Sequence, residues 1–152
     1  WFAQGQLDML EQALETMRDC GVVAGVASHS VEAHAWIRDN LRPDFQMCCY
    51  YDPSARASSP HHVSTTEEKW DDDHKERMVE LIQTLPWPAV HYKVFAGGNK
   101  PVDVGFQYLA RSMREQDLVC IGHYLKDNPD MIAENVATFQ RLVEGKRQSR
   151  SL

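Results

Sequence analysis

The chain has 152 residues, an ordinary length for one domain, and its 43% hydrophobic and 25% charged residues make a globular composition rather than a disordered one. A formal net charge of −6 leaves no broad basic face to follow a phosphate backbone, which argues against nucleic acid as a partner. No apolar run nears the ~20 residues that cross a bilayer, so no membrane association is expected.

The first residues, Trp1-Phe2-Ala3-Gln4, carry neither a starting Met nor a signal-like pattern, so we expect sequence upstream of them. A helix is predicted from about Gly5 to Cys20, with Leu7, Leu10, Ala13, Leu14 and Met17 on one stripe and Gly21 as a left-handed cap. A strand over 22–29 follows, then Ser30 as N-cap of a helix over 31–40. The second strand is predicted over 44–51 and leads into a Pro-, Ser- and His-rich loop from Asp52 to Ser64. A third helix runs from Thr65 or Thr66 to about Leu85. The third strand spans 89–96, and Gly97-Gly98 makes its exit turn. A helix after Pro101 ends near Met113; a fourth strand over 118–123 and a helix over 129–144 complete the pattern. The basic residues Lys146, Arg147 and Arg150 read as a flexible tail over 146–152, beyond one unit over 1–145.

Alternation of strand and helix implies parallel strands joined by right-handed crossovers. An open doubly wound sheet would carry a Gly-rich phosphate fingerprint after its first strand. Here that strand ends in Ser28-His29-Ser30. Polar groups at nearly every strand end suit a (βα)8 barrel, and four units make half of one. The predicted fold is therefore α/β: four βα units of a TIM barrel, a C-terminal half-barrel. Its missing N-terminal half, or a second copy, is the expected partner.

Cys20, Cys48, Cys49 and Cys120 form no CxxC pair, and buried free thiols in a reducing cytoplasm are expected. His61, His62 and the Asp71-Asp72-Asp73-His74 run suggest a metal at first sight. Consecutive aspartates on a helix point in different directions, so we read a solvated face and no metal site. Trp36, Trp70 and Trp87 are expected to pack helices onto the sheet.

The phrases Gly25-Val26-Ala27-Ser28-His29-Ser30, Asp44-Phe45-Gln46-Met47-Cys48-Cys49-Tyr50-Tyr51, His91 through Gly98, and Ile121-Gly122-His123 through Glu134-Asn135-Val136 resemble, in order, the later strands of a largely uncharacterised family of bacterial TIM-barrel proteins. More distantly, they are similar to the C-terminal half of aldo-keto reductases. The resemblance implies the fold. The reductases place their catalytic residues in the first half of the barrel, so it carries no catalytic assignment to this chain.

Lys93 is the leading candidate for chemistry. Alternation puts Tyr92 and Val94 on one face and His91, Lys93 and Phe95 on the other, which sends Lys93 into the barrel. Such a lysine can form a Schiff base, act as a base or hold an anion; the competing reading is an ion pair with a carboxylate of the missing half. His29 and His123 end strands and can serve as acid, base or ligand, or simply cap their strands. Tyr50 is expected at the mouth as a third catalytic candidate, with Arg56 beyond it as an anion clamp or a solvated loop arginine. Cys48 is expected to pack. Gly97, Gly98 and Gly122 offer backbone N–H groups to a phosphate, or only tight turns.

These residues suggest a barrel enzyme acting on a small polar metabolite such as a sugar or oxo-acid, by lyase or isomerase chemistry through Lys93 and His29. Two alternatives stay open: an aldo-keto-reductase-like oxidoreductase with NADP held at the glycine loops, and a non-catalytic half-barrel that pairs with another chain.

Overall fold

A computed structural model describes residues 7–52 and 70–145. Arg56, His61, His62 and the basic tail lie outside these residues, and so does the predicted helix start at Thr65 or Thr66. The order is α1 (Leu7–Asp19), β1 (Gly25–Ser28), α2 (Val31–Asn40), β2 (Phe45–Cys49), α3 (Asp72–Ile82), β3 (Ala89–Tyr92), a 3-10 turn (Ala96–Gly98), α4 (Val102–Ser112), β4 (Leu118–Cys120), α5 (Met131–Phe139) and a π-helical turn (Gln140–Glu144).

Local chemistry sets the helix ends. Gly21 takes φ +74°, and the Val22 and Gly21 amides donate to the Met17 and Arg18 carbonyls, the Schellman closure that only a left-handed residue permits. Ser30 caps α2 by accepting from the Ala33 amide at 3.1 Å. Asp71 caps α3, which therefore starts at Asp72. The strands are shorter than the apolar runs that predicted them, because pairing stops while the side chains remain apolar.

The four strands form one parallel sheet in the order β1-β2-β3-β4. Among the described residues each strand pairs with its neighbours in the chain, without a reversal of strand order. β1 and β4 are the edges.

The sheet's two faces differ. Gln46, Cys48, Ala89 and His91 are buried beneath the helices. The main core joins Cys48, Tyr50 and Ala89 to Met78 and Ile82 of α3 and to Phe106 and Leu109 of α4. A second cluster joins Leu14 of α1, Ala24 and Ile37 of α2. Trp70 and Trp87 pack against the first cluster and Trp36 against the second, as expected. Among the described residues, the opposite face is open: Ala27 and Cys120 are exposed, Leu118 is 61% exposed, and Phe45, Met47 and Val90 are half-buried. On that face the Phe45 ring lies across Gly25, where a Cβ would come within 2.3 Å of it.

All four cysteines are free thiols. Cys48 and Cys49 are buried as expected, whereas Cys20 and Cys120 are exposed. No described helix is long and apolar enough to cross a membrane.

Candidate functional site

Parallel strands bring all their C-terminal ends to one edge of the sheet, where α/β proteins gather reactive groups. Three polar side chains meet there. The Lys93 ammonium Nζ lies 3.2 Å from His29 Nε2. On the other side of the same ring, Nδ1 lies 3.8 Å from an Asp52 carboxylate oxygen. His29 follows β1, Asp52 follows β2 and Lys93 follows β3. His29 and Asp52 keep 24% and 25% of their side chains exposed, and Lys93 is half-buried, so solvent reaches the group.

Lys93 arrives there by a different route from the one predicted. The strand ends at Tyr92, and Lys93 takes φ +56°, a left-handed conformation costing an ordinary L-residue about 1–2 kcal/mol. That kink breaks the alternation. His91, expected to share Lys93's face, is buried under the helices, and Val94 is buried in the main core. The kink swings Lys93 beside Tyr92, whose ring centroid lies 5.9 Å from Nζ and 6.1 Å from the His29 ring. Strain in a half-buried polar residue at a strand end is typical of functional positions.

Below the group, Cys49 is buried and its thiol is pushed up by burial, with Tyr92 and Lys93 pulling weakly the other way. Burial likewise raises the Tyr92 phenol. Both stay protonated, so neither is an ionised nucleophile. His74 of α3 braces the edge from behind. Its Nε2 faces the His29 carbonyl at 2.9 Å and its Nδ1 the Tyr50 carbonyl at 3.1 Å, tying the exits of β1 and β2 to one ring.

Other expected site residues do not join this group. Tyr50 does not reach the mouth. It is 1% exposed, and its hydroxyl bonds His91 Nδ1 at 2.8 Å and Ser112 Oγ at 3.1 Å beneath α4. The polar side of β2 is its helix-covered side, because Gln46 and Cys48 find partners or packing there. The Cys48 thiol, pushed up to about 12 by burial, belongs to the core. Gly97 and Gly98 take φ +63° and +93° in a turn whose Ala96, Gly98, Asn99 and Lys100 amides donate to the carbonyls of Lys93, Phe95 and Ala96. Those four donors, the Gly98 amide among them, are spent inside the turn. Gly122 and His123 are exposed beyond β4.

Asp72 and His74 are likewise employed in structure. Asp72 accepts from Lys100 at 2.9 Å, Lys75 at 3.0 Å and the Tyr51 hydroxyl at 3.1 Å, and the lysines hold its carboxyl down at about 2. These groups line a cavity of about 90 Å³ between α3 and α4. Among the described residues, no three His, Cys, Asp or Glu side chains group to hold a metal ion.

Sequence reasoning selected Lys93 and His29 but passed over Asp52 and His74. Asp52 carried a usable signal, an acidic residue one step past an apolar strand. His74 was hidden in a run of charged residues. No family model, no curated protein and no solved structure matches this chain.

Proposed function

We propose that the chain is the C-terminal half of a (βα)8-barrel enzyme that acts on a small polar metabolite, a sugar or oxo-acid, by proton transfer through Lys93 and His29. The single observation that carries this reading is the 3.2 Å approach of Lys93 Nζ to His29 Nε2 at the C-terminal edge of a parallel sheet. A base within hydrogen-bond reach of an amine, with the Asp52 carboxylate at ion-pair distance from its other nitrogen, supports an acid–base pair. The sequential strand order and the open sheet face support a half-barrel. The order of its strand phrases, which resemble those of uncharacterised TIM-barrel proteins, supports it too.

The test is ligand-induced movement of the His29 imidazole signals in an NMR titration against a panel of sugars and oxo-acids. Several members should move them, and Lys93→Met should weaken the response about tenfold or more, the loss of one charge-assisted hydrogen bond. A panel that leaves His29 unmoved in the folded protein overturns the reading.

The open face favours a second reading, a half-barrel completed by another chain. Unpaired strand edges beside uncovered apolar side chains recruit further strands. Sedimentation should then give a dimer or a larger species; a stable monomer with cooperative melting counts against it.

A further inference from the structure

We infer that Lys93 captures a small aldehyde or ketone covalently as an iminium, with His29 as its proton-transfer group and Asp52 as the residue that positions His29. This rests on the reading of the strand edge as the reactive site, and it names the functional group that site accepts.

Three observations converge. A lysine with a purely structural task pairs with a carboxylate; Lys93 forms no carboxylate ion pair among the described residues, and its polar partner is a ring nitrogen. That nitrogen has a lone pair to offer only if the ring's other proton sits on Nδ1, the side facing Asp52 at 3.8 Å. Nucleophile and base therefore stand within hydrogen-bond reach of each other, with a carboxylate at ion-pair distance from the base's other nitrogen. The backbone at Lys93 is held left-handed, so the amine is aimed by the chain rather than left to a free strand-end rotamer. Tyr92 and Cys49 form the protonated, weakly polar wall beside it.

The step balances within these groups. The Lys93 ammonium gives a proton to His29 Nε2, and the freed amine attacks the carbonyl carbon, forming a C–N bond as the C=O π pair moves to oxygen. A proton passes from nitrogen to that oxygen, giving a carbinolamine. His29 returns its proton to the hydroxyl, which leaves as water while the nitrogen lone pair closes the C=N bond. Ammonium and carbonyl become iminium and water, with no external oxidant or reductant. The cationic iminium is an electron sink that acidifies the adjacent C–H, which joins this capture to lyase or isomerase chemistry.

The experiment is reductive trapping with glycolaldehyde, and separately with pyruvate, in the presence of cyanoborohydride, followed by peptide mapping. Exposed Lys126 serves as the internal reference. Lys93 should acquire the reduced adduct about a hundredfold faster than Lys126, the low end of what a positioned proton-transfer group contributes. His29→Phe should erase that advantage. His29→Asn, smaller and still polar, should erase it too, and circular dichroism of both variants checks that the fold survives. Equal labelling of Lys93 and Lys126 by both probes overturns the inference, and so does fast Lys93 labelling that persists in both folded His29 variants. If the NMR panel moves His29 but no Lys93 adduct forms, covalent capture fails while the metabolite site stands. If His29 is also unmoved, both fail.

Discussion

The sheet carries two clusters with nearly the same side-chain types. On the covered side, toward the N-terminal ends of β3 and β4, His91 sits between Tyr50 and Asp117, and Arg114 clasps the carboxylate. At the C-terminal edge His29 sits between Lys93 and Asp52. By composition alone the first reads as a catalytic triad. Its His91 and Asp117 side chains are 0% exposed, and Asp117 accepts from His91, from Arg114 and from the amides of Ala89 and Arg114. Burial alone would raise the Asp117 carboxyl, but those bonds win and hold it well below the usual carboxylate range. Such a group is finished: every lone pair has a donor and no substrate atom can approach. The second cluster is partly open to solvent and includes a left-handed lysine. Solvent access, not residue type, separates this fastener from the site we propose as reactive.

The sharpest way to break this comparison is Asp117→Ala. It should cost about 3–5 kcal/mol in a denaturant melt, because it removes the carboxylate shared by the buried His91 and the partly buried Arg114. A loss below about 1 kcal/mol would mean that the network holds nothing together.

Next in size is a pH effect on the covered side. His34 is buried, and burial, opposed by weaker hydrogen bonding to the Ser28 and Met47 backbone, lowers it to about 4 from 6.5. Its Nδ1 accepts from Gln46 Nε2 at 2.8 Å, and the oxygen of that amide, Oε1, accepts from the Trp87 indole at 2.8 Å, so the ring is held neutral. The unfolded chain binds this proton first. Stability should be full above pH 6.5 and fall by about 3 kcal/mol as pH drops to 4, on the linkage relation. His34→Gln should flatten that slope in melts across the same range; an unchanged slope assigns it to other groups.

On the open face, Gly25→Val should cost about 1–3 kcal/mol from overpacking against the Phe45 ring. Phe45→Ala in the same chain should recover part of it, a coupling that a double-mutant cycle reads directly. Additive losses would show that Gly25 matters for some other reason.

The smallest effect belongs to the proposed reactive residue. Lys93→Gly relieves a left-handed backbone costing about 1–2 kcal/mol and gives back about 0.5–1 kcal/mol through the looser unfolded chain. Stability should therefore change by less than about 1.5 kcal/mol while the His29 response to metabolites is lost. Destabilisation beyond about 3 kcal/mol would make Lys93 another fastener, like Asp117.

Much of this was legible in the residues, for reasons that differ by element. Helix ends were readable because Ser30 and Gly21 act locally. The order of strands and helices followed from apolar periodicity. Which face of each strand meets the helices was not readable, because Gln46 and His91 are buried by partners distant in sequence, His34, Trp87 and Asp117. Polarity pointed those residues the wrong way, and Tyr50 went with them. Lys93 was selected through an alternation that the backbone does not obey there, and no pattern of residue types announces a left-handed lysine. His29 was found because it ends a strand. Asp52 was missed because its neighbours look like a loop.

The His74 brace has a mechanical consequence. One imidazole from α3 joins the exits of β1 and β2, so the spacing of the His29 backbone from that of Tyr50 is tied to a helix that lends no side chain to the proposed proton transfer. α3 is thus a lever on the mouth. Displacing it would shift the His29 backbone relative to that of Tyr50, so the proposed site is open to adjustment from behind.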